Sequence, residues 1–388
     1  MNYKLKNVVK YCRPIFKIYN KIGGYLIRTI GHFIPMDDKL ILFVSYGGRR
    51  YDDSPKCLYE KMKDDIRFRD YKFLWAFDNP ARYPGILSVK IDTFDYFIKA
   101  LKAKVWITNS AIERGLQFKK ESNIYVNTWH GTPIKRMGAD LPVNNQSFSS
   151  NLNNMNMFLV QGDYEKKIFS RAFDIKDDVF LKVGLPRNDV LVAAKTLDKQ
   201  LARKKLNIKS DTFVILYMPT FREFVRNSIT GCAFDFKLNP DKWINKLKKN
   251  DFVFLYRAHY EISTKCNGKG NEYFRNVSNY EELNDLLIAS DVLISDYSSV
   301  IFDYSLLEKP VILYLYDYKS YESKRGLYFD IRSFFKNCDN EDDLLIILNK
   351  MDYKEESIAT SKFKNRFLNY YGNASNKTID KLYELLYR

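Results

Sequence analysis

"DVLISDYSSVIFDYSLLEKPVILYLY", residues 291–316, decides the fold class of this chain. It begins with a short apolar run, passes through a polar turn into a helical pattern, and ends in a second apolar run after Pro310. Two buried strands joined by a helix make a βαβ unit, whose strands lie parallel in one sheet. The stretch therefore predicts an α/β protein.

The same alternation of apolar runs and helical patterns continues along the chain. The earlier strand candidates are KLILFVSYGG (39–48), YKFLWAF (71–77), KVWITNS (104–110), NIYVNTW (123–129), MFLVQG (157–162) and VFLKVG (179–184). After a charged, helix-rich connection (184–211), further strands are TFVILYMP (212–219), DFVFLYRAH (251–259) and the two in the quoted stretch. We predict two Rossmann-like domains, residues 37–195 and 196–388.

Two helix starts are also readable. SPKCLYEKMKDD (54–65) predicts a helix with Ser54 as N-cap and Pro55 in its first turn. The acidic cluster DNEDD (339–343) is interpreted as the polar start of a helix and not as a metal motif.

Composition limits the class of protein. A chain of 388 residues, 46% of them hydrophobic, has enough apolar material for two cores. A net charge of +16 indicates anionic partners, but charge alone does not choose among nucleic acid, anionic lipid and a phosphorylated small molecule. The five cysteines are scattered and lack C-x-x-C spacing, so neither disulfides nor zinc are expected and a reducing cytoplasm is favoured.

Residues 1–36 form a basic segment without a carboxylate. Its basic residues are Lys4, Lys6, Lys10, Arg13, Lys17, Lys21 and Arg28. Apolar residues recur at helical spacing opposite the lysines, with Pro14 interrupting the pattern, and no run approaches the roughly 18 apolar residues of a spanning helix. The segment predicts an amphipathic helix on an anionic membrane surface. A solvated basic helix that caps the first domain is the alternative.

Polar side chains follow the carboxyl ends of several predicted strands. They are His130, Arg222, Arg257, His259, Ser298 and Ser299. In open α/β sheets this edge lines the ligand crevice, so residues distant in sequence converge there. We expect His130 to face the others across the two sheets.

Ser298 or Ser299 opens the helix of the βαβ unit. The first N–H groups of a helix lack internal partners and its dipole is positive there, so a diphosphate would gain backbone and hydroxyl hydrogen bonds. A plain serine N-cap is the alternative. Arg257 and His259 could neutralise the same diphosphate, although His259 also fits an ordinary loop histidine. Neither G-x-G-x-x-G nor G-x-x-x-x-G-K-[ST] occurs, which disfavours oxidoreductases and P-loop NTPases.

The stretch NTWHGTPIKRMG (127–138) holds another of the three histidines. Near pH 7 a neutral imidazole can take the proton of an alcohol that attacks phosphorus, which makes His130 the candidate base. Lys135 and Arg136 would meet anionic substrate. A histidine that only bonds backbone at a turn is the alternative, and His32, in an apolar stretch, is interpreted as structural or interfacial.

Five motifs together carry a family resemblance. They are NTWHGTPIKRMG (127–138), GLPRNDVL (184–191), ILYMPTFR (215–222), LYRAHY (255–260) and LISDYSSVIFDYSLLEKPVILYLYDYKSYESKRGLYFD (293–330). In this order and spacing they resemble the CDP-glycerol glycerophosphotransferase family of teichoic acid and capsule synthesis. The resemblance implies a GT-B architecture, two Rossmann-like domains facing a central cleft, in a peripheral enzyme on the cytoplasmic face of the cell membrane.

The resemblance also implies the reaction. A hydroxyl of a lipid-linked saccharide or polyol phosphate would attack the β-phosphorus of CDP-glycerol, or of CDP-ribitol, and expel CMP. It implies His130 as base and His259 as a contact of the donor's pyrophosphate. The proposed donor contacts are Arg222, Arg257, Asp296, Ser298, Ser299 and Asp303. The proposed acceptor or anionic-substrate contacts are Gly47, Gly48, Gly131, Thr132, Lys135 and Arg136. No metal or cofactor is required by the sequence, and a loosely bound Mg²⁺ on the diphosphate is compatible with it.

Two rival classes stay open. One is a GT-B glycosyltransferase that uses a nucleotide sugar, and the other is a non-catalytic basic protein that binds anionic lipid or nucleic acid. We expect no nucleic-acid partner, because two histidines at strand ends indicate chemistry. Large polymerases of the family carry an additional domain before the catalytic module, and only the short basic segment precedes it here, which favours a primase-like or short-chain enzyme.

Overall fold

The computed structural model describes residues 18–141, 152, 154–220, 222, 238–257 and 271–387. These residues divide into two compact units. The first unit contains the residues up to His130, those from Gly138 to Asp189 and those from Tyr370 onward. The second contains Gly131–Met137 and the residues from Val190 to Asn369.

Each unit is built on one parallel sheet. The strands of the first are β1 (Asp37–Val44), β2 (Lys72–Phe77), β3 (Ser88–Lys90), β4 (Ala103–Thr108), β5 (Ile124–Asn127), β6 (Met157–Val160) and β7 (Phe180–Lys182). The strands of the second are β8 (Phe213–Tyr217), β9 (Phe252–Tyr256), β10 (Phe274–Asn276), β11 (Val292–Ser295), β12 (Val311–Tyr314) and β13 (Asn337–Cys338).

Helices connect these strands. In chain order they are α1 (Gly24–His32), α2 (Asp53–Lys63), α3 (Phe94–Lys102), α4 (Asp163–Phe173), α5 (Asp189–Ala193), α6 (Thr196–Lys205), α7 (Pro240–Asn250), α8 (Leu283–Ala289), α9 (Val300–Ser305), α10 (Tyr318–Arg325), α11 (Glu341–Lys350), α12 (Tyr353–Phe367) and α13 (Ala374–Leu386). A single π-helical turn, Tyr19–Gly23, precedes α1.

The strand order of each sheet indicates where its ligand crevice lies. The first sheet runs β3-β2-β1-β4-β5-β6-β7 and the second β10-β9-β8-β11-β12-β13. Both follow the Rossmann order, in which the strand sequence reverses between the first and fourth strands, and ligands bind at the carboxyl ends of the strands at that point. The predicted α/β class with parallel Rossmann-like sheets is confirmed.

Strand burial explains why the apolar runs are so clear in the sequence. Residues Leu40 to Val44 of β1 are all buried, as are all four residues of β5, β6, β11 and β12. Strands covered on both faces read as continuous apolar runs of Val, Ile, Leu and Phe. Each unit accordingly has its own apolar core.

The end of the chain departs from the predicted ranges. Helix α13 belongs to the first unit, where Ile379 and Leu382 join the core. Its first turn is held by Asp189, whose carboxylate accepts hydrogen bonds from the backbone N–H groups of Ala374 at 2.7 Å and Ser375 at 2.8 Å. An amphipathic pattern predicts a helix but does not say which core it covers.

Two predicted helix starts have different outcomes. The helix near residue 54 is capped by Asp52, which accepts from the N–H of Asp53, so Ser54 is not its N-cap. At α11 the acidic cluster does begin a helix, because Asn340 accepts from the N–H of Asp343.

The described part of the basic N-terminal segment packs through its glycines. Gly24 and Gly31 of α1 are buried, and a Cβ at Gly24 would lie 2.2 Å from the carbonyl oxygen of Leu116. Several large apolar side chains of α1 and of the residues next to it are exposed. They are Ile18, Ile22, Tyr25, Leu26 and Phe33. Residues 1–17, and with them most of the predicted amphipathic pattern, lie outside the described residues, within which no helix is long and apolar enough to cross a membrane.

Candidate functional site

The carboxyl edge of the first sheet brings together segments that follow β1, β4 and β5. We call these segments, Ser45–Gly48, Asn109–Ser110 and Thr128–His130, the His130 edge. Strands β1 and β4 are neighbours across the reversal of strand order, and β5 lies beside β4. His130 therefore lies beside the point where Rossmann-like sheets bind ligands.

The ring of His130 is oriented by the backbone. Its Nδ1 lies 2.7 Å from the carbonyl oxygen of Asn109. A carbonyl oxygen only accepts hydrogen bonds, so Nδ1 carries the proton in the neutral ring and Nε2 carries the basic lone pair. The half-buried ring is thus set up with Nε2 as the nitrogen that can receive a proton.

Trp129 fixes the other side of the ring. The two ring centroids are 4.4 Å apart with an interplanar angle of 28°. Trp129 has a left-handed backbone, φ 52°, held by a hydrogen bond from its N–H to Asn127 Oδ1 at 2.8 Å, and Gly131 follows with φ 141°. The tryptophan also packs against Phe169. The left-handed backbone of Trp129, next to His130, is therefore held by a hydrogen bond and by ring packing.

Gly47 and Gly48 form the turn after β1, and their backbone N–H groups are already used. Gly47 donates to Ser110 Oγ at 3.1 Å and Gly48 to the carbonyl oxygen of Ser45 at 2.9 Å. Both have positive φ, and a Cβ on Gly48 would lie 3.0 Å from Ile91. The glycines shape the turn, and a contact with acceptor remains a prediction.

The segment after His130 belongs to the second unit. Lys135 forms an antiparallel bridge with Leu327, and the N–H of Arg136 donates to the carbonyl oxygen of Gly326 at 3.0 Å. Thr132 is buried, whereas the side chain of Arg136 is exposed. We call the paired segments 131–137 and 326–328 the ribbon.

In the second sheet, Arg222 lies in a cage of acids and tyrosines. It pairs with Asp296 at 2.9 Å and with Asp317 at 2.7 Å, and its guanidinium lies about 5 Å from three tyrosine rings. Burial opposes the charge, but the two carboxylates raise the pKa of Arg222. Asp296 also accepts from the N–H of Thr220 at 2.8 Å. Through these contacts the Arg222–Asp296 ion pair links the ends of β8 and β11.

The predicted phosphate loop follows β11. Ser298 and Ser299 are partly exposed and precede α9, and Ser298 Oγ accepts from the N–H of Val300 at 3.4 Å. Asp303 lies buried within the helix. Arg257, at the end of β9, donates to the carbonyl oxygens of Val277 and Tyr280. His259 lies outside the described residues.

Sequence reasoning missed several residues that support His130. They are Asn109 and Tyr46, which belong to the His130 edge, and Asp53 and Arg187, which are linked to Tyr46 by hydrogen bonds. Asn109 follows a strand as His130 does, so its position was a usable signal. Asp53 and Arg187 carry none, because only the fold brings residues 134 positions apart together. Among the described residues, no three His, Cys, Asp or Glu side chains are grouped to hold a metal.

Two Rossmann-order sheets, with a fixed histidine at the carboxyl edge of one and a serine loop at that edge of the other, define a two-unit α/β enzyme. The family model of CDP-glycerol:poly(glycerophosphate) glycerophosphotransferases matches residues 26–384. The chain belongs to this family, and the predicted enzyme class, a CDP-glycerol glycerophosphotransferase, is confirmed.

Relatives agree with this family. A teichoic acid poly(glycerol phosphate) polymerase of Bacillus spizizenii is 28% identical, covering 98% of this chain and 99% of its own length. One from Staphylococcus epidermidis is 36% identical over 75% of this chain but only 42% of its own length. A teichoic acid glycerol-phosphate transferase of Staphylococcus aureus is 32% identical, covering 76% of this chain and 78% of its own length.

Solved structures show the same fold. The wall teichoic acid polymerase TagF is 30% identical, with a TM-score of 0.81 over 100% of this chain and 98% of that chain. A TagF variant soaked with CDPG gives a TM-score of 0.80. A UDP-GlcNAc 2-epimerase of Methanocaldococcus jannaschii, at 13% identity and TM-score 0.54, shares the fold alone.

Proposed function

We propose that this chain transfers glycerol phosphate from CDP-glycerol to a hydroxyl group of a membrane-lipid-linked saccharide or polyol-phosphate acceptor, in teichoic acid or capsule synthesis. The observation that carries the proposal is the hydrogen bond from His130 Nδ1 to the carbonyl oxygen of Asn109. It leaves Nε2 as the base at the ligand-binding edge of a sheet.

In the proposed reaction, His130 Nε2 takes the proton of the acceptor hydroxyl. The hydroxyl oxygen forms a bond to the β-phosphorus of CDP-glycerol as the bond from that phosphorus to the bridging oxygen breaks, and CMP leaves with that oxygen. The product is a phosphodiester. Such transfers depend on positioning and on stabilising the charge of the phosphoryl oxygens. The proposal includes the GT-B arrangement, which brings donor and acceptor together.

The donor is assigned to the second unit. Ser298 and Ser299 are partly exposed at a carboxyl edge, where hydroxyl and backbone donors can meet a diphosphate. Arg257 lies at the same edge. The ion pair between Arg222 and Asp296 favours a structural role for both residues. The burial of Asp303 favours a structural role for it within α9. His259 keeps its proposed contact with the pyrophosphate.

The acceptor is assigned to the first unit, near a membrane surface. Helix α1 packs on residues 116–120, in the loop that leaves β4, and donates from Arg28 to the carbonyl oxygen of Gln117 at 2.8 Å. This loop begins at the His130 edge, and α1 with the turn before it exposes the apolar side chains of Ile22, Tyr25 and Leu26. An exposed apolar helix face in a basic segment suits a peripheral position on anionic lipid. We place the enzyme on the cytoplasmic face of the cell membrane.

A donor panel tests the proposal. Purified protein is incubated with a lipid-disaccharide acceptor and CDP-glycerol, CDP-ribitol or a UDP-sugar, and the released nucleotide is measured. We expect acceptor-dependent release of CMP from CDP-glycerol and slower turnover of CDP-ribitol. Turnover of the UDP-sugar alone would replace the proposal with a glycosyltransferase. That the enzyme adds only a short chain of units to each acceptor stays a prediction.

A further inference from the structure

A chain of polar contacts runs behind the His130 edge and takes no part in the proton transfer itself. It starts at Arg187, whose Nη1 donates to Asp53 Oδ2 at 2.7 Å. The hydroxyl of Tyr46 donates to the same carboxylate oxygen. Arg187 and Asp53 are both buried. The tyrosine hydroxyl is therefore tied to an ion pair inside the first unit.

From Tyr46 the contacts continue to His130 by two routes. The N–H of Tyr46 donates to Asn109 Oδ1 at 2.8 Å, and the carbonyl oxygen of Asn109 accepts from His130 Nδ1 at 2.7 Å. The rings of Tyr46 and His130 also lie side by side, with centroids 6.2 Å apart and an interplanar angle of 58°. A shift of Tyr46 would thus move both the ring and the hydrogen-bond acceptor of His130.

The backbone around this chain of contacts is strained. Tyr46, Asp53 and Trp129 have φ of 48°, 66° and 52°, in the left-handed region that non-glycine residues rarely occupy. Such residues are strained, and they cluster at functional sites, where their surroundings hold them. A buried ion pair is likewise weak support for stability, because desolvation offsets its attraction. Strain and buried charge here indicate a role beyond stability.

Protonation is consistent with this geometry. Burial opposes ionisation of Asp53, but the Arg187 guanidinium and the Tyr46 hydroxyl lower the pKa of the carboxyl below its ordinary value. Burial and the Asp53 charge raise the pKa of Tyr46 well above its ordinary value. At neutral pH the Tyr46 hydroxyl therefore stays protonated and donates a hydrogen bond to the ionised carboxylate of Asp53.

We propose that Tyr46, held by Asp53, is a positioning residue for the base His130. The Asp53–Arg187 pair fixes the tyrosine hydroxyl, and Tyr46 in turn fixes the imidazole and the Asn109 carbonyl that sets its tautomer. The inference rests on the proposed function of His130 and adds the residues that orient it.

Tyr46→Phe is the informative variant, because it removes only the hydroxyl and leaves the Asp53–Arg187 pair in place. Misplacing a catalytic group by about 1 Å can cost on the order of a hundredfold in rate. We expect a kcat about tenfold to a hundredfold lower, with the KM for CDP-glycerol within about twofold of wild type, since the donor is assigned to the second unit. Tyr51→Phe is the matched control, because it removes a tyrosine hydroxyl that bonds Glu60 elsewhere in the same unit.

A spectroscopic readout separates positioning from a loss of folded protein. The chain has only three histidines, so ring ¹⁵N spectra can be assigned by substitution. We expect His130 to be in the Nδ1–H tautomer in wild type and Tyr51→Phe, and in a mixture of tautomers in Tyr46→Phe. A wild-type kcat in Tyr46→Phe, or a lower kcat with an unchanged tautomer, would overturn the inference.

His130→Ala distinguishes this inference from the function on which it rests. If that variant kept wild-type turnover, the proposed function itself would fail. If it were inactive while Tyr46→Phe remained fully active, only the positioning role would fail.

Discussion

Lys309 is a half-buried amine at the amino-terminal end of the second sheet. Its Nζ donates to the carbonyl oxygens of Ile288 and Ser290, both at 2.7 Å. Burial and, to a smaller extent, the charge of Lys199 lower the pKa of Lys309 to about 7, although the charge of Asp291 opposes the shift. The residue therefore couples folding to pH in the neutral range.

The sign of that coupling is fixed by the two pKa values. Between about pH 7 and pH 10.5, the unfolded chain binds a proton on Lys309 that the folded chain does not, so stability rises with pH in this window. Below pH 7 Lys309 is protonated in both states, and the folded state carries the full cost of the partly buried charge. From pH 7 to pH 9 we expect wild type to gain about 2 kcal/mol more than Lys309→Met in free energy of unfolding.

Urea denaturation of the two proteins at both pH values measures this difference. The comparison of the two proteins cancels the titration of every group that does not interact with Lys309. Parallel pH dependences would show that Lys309 is already charged in the folded state.

At the scale of elements, the ribbon depends on one glycine. Gly326 has φ 75° and ψ 145°, a conformation nearly restricted to glycine, and a Cβ there would lie 2.8 Å from Arg136 Cδ. We expect Gly326→Ala to destabilise the second unit by about 1–3 kcal/mol. Thermal unfolding measures the change, with Gly85→Ala as control, since nothing lies within 4 Å of a Cβ at that exposed glycine. Equal melting temperatures for the two variants would contradict this account.

The second prediction at this scale concerns α1 and the turn before it. Ile22 and Leu26 are 56% and 54% exposed, and burying such a side chain in an apolar environment contributes about 1.5–3 kcal/mol. We expect Ile22→Ser with Leu26→Ser to weaken binding to anionic vesicles by at least about tenfold, as measured by cosedimentation.

A matched pair on another helix controls for general loss of apolar surface. Leu197 and Leu201 of α6 are 64% and 49% exposed. If Leu197→Ser with Leu201→Ser weakened vesicle binding equally, the assignment of the lipid surface to the N-terminal segment would be wrong.

For the whole molecule, the sequence predicted what depends on local pattern. The two sheets were readable because parallel strands buried on both faces appear as unbroken apolar runs, such as Leu40–Val44 and Val311–Tyr314. His130 was readable because a scarce residue follows a strand. The ordered motifs then identified the family.

What the sequence did not predict depends on contacts between distant residues. The packing of α13 on the first unit and the Asp53–Arg187 pair each join segments more than a hundred residues apart. The donor contact of Arg222 stays a prediction, but its partners Asp296 and Asp317 were not predicted, because a sequence shows a positive charge near a strand end and not the carboxylates around it. Such partners follow from topology and not from local pattern.

The most direct test of the central claim is the acceptor-dependent release of CMP from CDP-glycerol by His130→Ala. His32→Ala is the control, since His32 is exposed at the end of α1 and its Nδ1 lies 2.9 Å from the carbonyl oxygen of Arg28 in the same helix. General base catalysis contributes about 10²–10⁴-fold, so we predict at least a hundredfold lower rate with an unchanged melting temperature. A His130→Ala enzyme that released CMP at the wild-type rate would contradict the account.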